Sequence, residues 1–182
     1  IIMLQKLKKL CTEWCKKTPK VAVIRLEGMI GGGGRLRPQS LNAQSLHPII
    51  EKAFAMPKIK AVALAINSPG GSPVQSELIY NQIRRQAAKK SVPVYAFIED
   101  MGASGGYWLA CAGDEIIASQ ASIVGSIGVI AAGFGFPEFI SRHGIERRVY
   151  TQGENKSLLD PFKPEDPEDI AHLHSLQKDV HE

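Results

Sequence analysis

The sequence predicts an α/β fold in which a mainly parallel sheet is flanked by helices, and three observations predict it. Apolar runs of strand length alternate with longer amphipathic runs of helix length along most of the chain. Repeated strand–helix units imply parallel pairing, because each return to the sheet must cross over through a helix. Two glycine-rich turns, Asn67-Ser68-Pro69-Gly70-Gly71 and Gly102-Ala103-Ser104-Gly105-Gly106, each follow an apolar run. Both therefore fall at strand carboxyl ends, the edge where parallel sheets bind their ligands.

The elements follow in order. Leu4, Leu7, Cys11 and Trp14 share one helical face, with lysines largely on the other, until Pro19 ends the segment. Residues 1–19 thus read as a basic amphipathic arm. It suits either peripheral contact with an anionic membrane or docking on its own domain. Residues 20–182 read as a single domain, long enough for a sizeable core. In it, 20–27 (KVAVIRLE) is a strand, followed by a loop with Gly31–Gly34. Residues 41–56 form a helix containing Pro48, 59–66 (IKAVALAI) a strand, and 74–90 an amphipathic helix. A third strand spans 92–98, and the turn 100–106 leads into an apolar helix at 107–112. Short strands are expected at 115–118 and 145–150 with a helix at 137–143 between them, and a polar helix at 164–182.

Charge and cysteines narrow the function classes. The formal net charge is +4, but residues 1–20 hold six lysines against Glu13 alone, leaving 16 basic and 17 acidic side chains in the remainder. A nucleic-acid partner needs basic residues spread through the fold, so none is expected. Three cysteines (Cys11, Cys15, Cys111) form neither a zinc pattern nor a disulfide framework and favour a reducing compartment. No apolar stretch approaches the ~18–20 residues that span a bilayer, and no secretory signal is visible. The expected location is the cytoplasm or a membrane surface. Nothing in the sequence calls for a metal or organic cofactor.

Three features carry chemistry. Ser104 sits between an apolar strand and a helix start, flanked by glycines that let a carbonyl approach; helix-start amides there suit a developing oxyanion. The same position also suits a plain N-cap serine. At Pro69-Gly70-Gly71, a turn with positive φ exposes main chain that can complete an oxyanion hole, or serves shape alone. Lys156 follows in Gln152-Gly153-Glu154-Asn155-Lys156-Ser157. A lysine acts as a base only when neutral, and at the free value of ~10.4 about one in 2,500 is neutral at pH 7. Burial can raise that fraction, and otherwise a loop lysine is a solvated charge.

Taken together, NSPGG, MGASGGYWLA, SIVGSIGVI and QGENKSLLDPF, in this order between Val21 and Phe162, resemble the signal peptide peptidase A (protease IV) family of serine peptidases. The resemblance implies the ClpP/crotonase-like fold and a catalytic dyad of Ser104 and Lys156. It implies oxyanion amides at Gly71 and Gly105, a supporting hydrogen bond to the lysine from Ser126, and substrate-binding main chain at Gly70 and Gly102. It further implies extended peptide substrates, residual signal peptides among them, and a homo-oligomer in which neighbouring subunits can complete the dyad. That family commonly carries an N-terminal membrane anchor and continues further past its lysine, so the chain reads as a fragment or a short member.

Other readings use the same residues. Gly102–Gly106 also fits the G-x-S-x-G turn of α/β-hydrolases, with Asp160 and then His172 or His174 in the required order. The stretch after Ser104 is short for that fold. An acyl-CoA hydratase of the same fold class would use two oxyanion amides and leave Ser104 and Lys156 without a task. An inactive membrane-associated scaffold would use only the arm.

Overall fold

The computed structural model describes residues 18–31, 40–153 and 155–182, so most of the basic arm lies outside the described residues. The chain divides into two compact units, one ending at Ile127 and the other running Gly128–Glu182.

The first unit holds β1 (Lys20–Glu27), α1 (Ala43–Phe54), β2 (Ile59–Ser68), α2 (Pro73–Lys90), β3 (Val94–Ala103), α3 (Gly105–Ala110), β4 (Glu115–Ala118) and β5 (Ile123–Gly125). All strand pairs are parallel, in the order β1-β2-β3-β4. β4 and β5 occupy successive stretches of one strand, β4 against Tyr95–Ile98 and β5 against Met101–Ala103. The mainly parallel sheet flanked by helices that the alternation predicts is present.

Strand periodicity decides which face is covered. Ala22, Ile24 and Leu26 of β1, Val62, Leu64 and Ile66 of β2, and Val94, Ala96 and Ile98 of β3 point into one core. There they meet Leu46, Ile50 and Phe54 of α1, Ile79 and Ile83 of α2, and Leu109 of α3. Each fully buried aliphatic side chain contributes about 1.5–3 kcal/mol by leaving water. On the opposite face Val21 and Val23 remain 58% and 63% exposed, beside the half-buried Ala61, Ala63 and Ala65.

The helices begin where side chains satisfy their first amides. Asn42 Oδ1 accepts from Ser45 N at 2.9 Å at the start of α1, and Ser72 Oγ accepts from Gln75 N at 3.4 Å at the start of α2. Pro73 opens α2 at a position whose N–H would go unused. Ser91 ends it in the left-handed region at φ 50°.

Two expectations change, and one strand is added. β3 continues through Asp100–Ala103, where a turn was expected, because Gly102 pairs with Ser68 on one edge and Val124 on the other. β5, three residues long, is too short to show periodicity in the sequence. Residues 145–150 form no strand, having no paired neighbour among the described residues; Arg147 and Arg148 there are tied to Asp160 and Glu146 instead.

The second unit contains α4 (Pro137–Arg142) and α5 (Pro167–His181), neither with a buried residue. Its order comes from an aromatic and ionic knot. The rings of Phe136 and Phe162 lie 5.7 Å apart, and the Arg147 guanidinium sits 5.0 Å from the Phe162 centroid. Among the described residues no helix is long and apolar enough to cross a membrane.

Two predictions follow from the first unit. Leu64→Ala should lower its unfolding free energy by about 2–5 kcal/mol, and Val23→Ala by under about 1 kcal/mol, in chemical denaturation. Asp114 accepts from Val94 N at 2.8 Å and from Arg84 at 2.9 Å. The Val94 amide first, and then Arg84, hold its carboxyl below the usual range. Its stabilisation is therefore present above the unfolded-state value of about 3.9 and lost as pH falls through the lower folded value. Asp114→Asn should flatten that acid limb when denaturation is repeated across the acidic range.

Candidate active site

Ser104 stands at the junction of β3 and α3 with φ 52° and ψ −123°. The sharp turn arises because β5 holds the strand end: Ser104 N donates to Gly125 O at 2.7 Å. A non-glycine residue in such a conformation costs about 1–3 kcal/mol, which the surrounding sheet must offset. Although Ser104 occupies the N-cap position, its side chain makes no capping hydrogen bond. The hydroxyl is thus not engaged in capping the start of the helix, and the simple N-cap role is not adopted.

The second turn is clamped by a residue the sequence did not flag. Ile30 N donates to Gly70 O at 2.8 Å, and Ser72 N donates to Ile30 O at 2.9 Å. Gly71, between them, is left with its N–H directed away from this pairing. Ser68 locks the same turn from inside, donating to Gly28 O at 2.7 Å and accepting from Gly70 N at 3.1 Å. Gly70 and Gly71 have φ of 93° and 147°, which other residues rarely adopt.

The two turns lie backbone against backbone. A Cβ on Gly70 would fall 2.6 Å from Gly105 N and 2.8 Å from Ser104 Cβ; one on Gly71 would overlap the Ile30 carbonyl. A Cβ on Gly105 would come 3.4 Å from Gly71 N and would overlap the Ser76 hydroxyl. Neither the Gly71 N–H nor the Gly105 N–H donates to an acceptor among the described residues. Ser104, Gly70, Gly71 and Gly105 are therefore brought together. Gly102 is buried in β3, where a Cβ would fall 2.8 Å from Ile98 Cδ1, so its smallness serves packing.

Ser126 follows β5 in an exposed position at φ 53°, next to the Gly125 carbonyl that holds Ser104. Lys156 belongs to the second unit, where it is exposed in the turn 155–159. Asp160, the acid of the hydrolase reading, is paired with Arg147 at 3.0 Å, and its carboxylate also accepts from Phe162 N at 3.1 Å. His172 and His174 lie exposed on α5. Asp160 is thus engaged by an arginine rather than a histidine. Among the described residues no cluster of three His, Cys, Asp or Glu is placed to hold a metal.

Ile30 carried no signal in the sequence, since its role rests on backbone bonds made across the fold. Ser68 carried a faint one, a serine preceding Pro-Gly at the end of an apolar run.

The first unit is thus a parallel α/β sheet that carries at its carboxyl edge a serine at positive φ and two amides that donate to no acceptor among the described residues. Comparison with known proteins makes this particular. The model of peptidase family S49 matches residues 86–182, more than half of the chain. The chain belongs to peptidase family S49.

It is 56% identical over 163 residues to the Na(+)/H(+) antiporter NhaA of Brucella melitensis, covering 89% of this chain and 22% of that protein. It is 33% identical over 171 residues to the chloroplastic serine protease SPPA of Arabidopsis thaliana, covering 88% of this chain and 25% of that one. The chain thus spans a quarter or less of the length of these two relatives. A ClpP1 mutant from Listeria monocytogenes aligns in structure with a TM-score of 0.39 and 18% identity, over 50% of this chain and 46% of its own.

Gly71→Ala should disrupt the clamp. Its Cβ meets the Ile30 carbonyl, so a stability loss of at least about 1–3 kcal/mol is expected in chemical denaturation.

Proposed function

We propose that the chain is a serine peptidase in which Ser104 is the nucleophile and Lys156 the general base. The observation that carries this reading is Ser104 itself: a strained serine, not engaged in capping, beside two amides without acceptors among the described residues. The S49 match, which spans both Ser104 and Lys156, supports it. Neutral Lys156 takes the Ser104 proton as Oγ attacks a peptide carbonyl, and the Gly71 and Gly105 amides hold the oxyanion. Lys156, now charged, gives its proton to the leaving amine as the C–N bond breaks. Water, deprotonated by the same lysine, then attacks the acyl-enzyme and restores the serine.

Ser126 supports the lysine and the main chain at Gly70 borders the bound peptide, whereas Gly102, buried and paired on both edges of β3, has no edge left to offer one. The substrates are extended peptides, residual signal peptides among them. The functional form is a homo-oligomer in which Lys156 is removed from water, as a lysine must be to work as a base. The name of the Brucella relative refers to transport, whereas the residues assembled around Ser104 are suited to acyl transfer.

Labelling by a serine-directed fluorophosphonate tests the reading. Ser104→Ala should abolish labelling, and Lys156→Ala should slow it by about 10²–10⁴-fold, the usual worth of a positioned base. Unchanged labelling of the lysine variant, with loss on substituting His172 or His174, would transfer the role to a histidine.

A further inference from the structure

We propose that Arg147 and Asp160 clamp the turn 155–159 and so make Asp160 a positioning residue for Lys156. The inference rests on the assignment of Lys156 as base and names what holds that base in place.

The turn is fixed at its C-terminal end by bonds that the exposed chain around it does not otherwise make. Asp160 receives Arg147 through Nε at 3.2 and 3.1 Å, one bond to each oxygen, and through a terminal nitrogen at 3.0 Å. Its side chain is only 4% exposed while that of Arg147 is 42% exposed, so the carboxylate is the sequestered partner. Phe162 N donates to the same carboxylate, and the Phe162 ring lies under the guanidinium. A carboxylate that is sequestered, doubly contacted by arginine and bonded to main chain is a fixed point. It stands four residues after Lys156.

A second observation marks the turn as held rather than relaxed. Leu159 has φ 54°, a conformation that is costly for a bulky side chain. Its N–H donates to Asp169 Oδ2 at 3.0 Å, in the first turn of α5. Pro161 O accepts from Phe136 N at 2.6 Å, joining the next residue to the start of α4. Leu159, Asp160 and Pro161 are thus anchored to α5, Arg147 and Phe136 respectively. Strain of this kind persists only where its surroundings over-determine it. The turn that gains from such fixing carries one ionisable side chain among its described residues, Lys156.

Arg147 suits this task for geometric reasons. A planar guanidinium binds both carboxylate oxygens and stacks on the Phe162 ring, whereas a lysine offers a point charge. Loss of the clamp shifts the base relative to the serine, and a displacement near 1 Å costs about 10²-fold in rate.

The test follows fluorophosphonate labelling of Ser104 in the full chain, as wild type and as Asp160→Asn, Arg147→Lys, Lys156→Ala and the Lys156→Ala/Asp160→Asn double variant. Both clamp variants should label about 10- to 100-fold more slowly, with the endpoint stoichiometry of folded sites unchanged. In the Lys156→Ala background, Asp160→Asn should slow labelling no further, since the two residues act through one base. Arg147→Lys retains the charge and serves where Asp160→Asn does not fold. Clamp variants that label at the wild-type rate, or slow labelling equally in both backgrounds, would overturn the clamp and leave the base assignment standing. Lys156→Ala labelling at the wild-type rate would sink the base assignment and the clamp with it.

Discussion

The close approach of two backbones at the carboxyl edge of β2 and β3 is the constraint on which the rest of the first unit depends. Ser68 pairs with Gly102, and immediately beyond that pairing Gly70 and Gly71 lie against Ser104 and Gly105 with no room for a side chain. Such proximity demands glycine, and it also demands rigid supports, because unshielded main chain would otherwise relax toward water. The supports come from three directions. Ile30 clamps the Gly70-Gly71 turn, Ser68 fills its inside, and Gly125 holds Ser104 from β5.

Seen this way, the core and the site are one design. The aliphatic positions of β1, β2 and β3 bury against α1, α2 and α3, fixing the strands in register. Register then fixes where each strand ends, and the ends deliver the turns. The free energy of burying aliphatic surface is of the right size to hold a strained serine, since several buried side chains together outweigh a conformational cost of about 1–3 kcal/mol. At the end of β3, Ser104 makes no side-chain capping bond and lies against the Gly70-Gly71 turn.

The second unit is built on another principle. With no buried residue in either helix, its order rests on directional contacts: an arginine on a carboxylate, rings near one another, and backbone amides bonded to acidic side chains. Directional contacts specify position well for little buried surface. They also explain why Asp160, a plausible triad acid by sequence order, is occupied by Arg147.

Strand and helix alternation was legible because burial on one face imposes periodicity, and β1 is read from 20 to 27 without change. The motifs around Gly71 and Ser104 were legible too, since backbone proximity leaves glycine as its trace. The continuation of β3 through Ala103 and the existence of β5 were not, because both depend on pairing with residues distant in the chain. The same holds for Ile30, whose contribution is made by backbone groups that every residue possesses. Residues 145–150 are of strand length yet have no strand neighbour among the described residues, and local sequence alone cannot supply one. The sequence by itself determined the fold class, the glycine turns and the candidate nucleophile, through local pattern and side-chain chemistry. Tertiary structure alone decided that the two turns meet, that Ser104 is strained and uncapped, and that Asp160 belongs to Arg147, because each depends on hydrogen bonds or contacts between groups that the chain brings together only on folding.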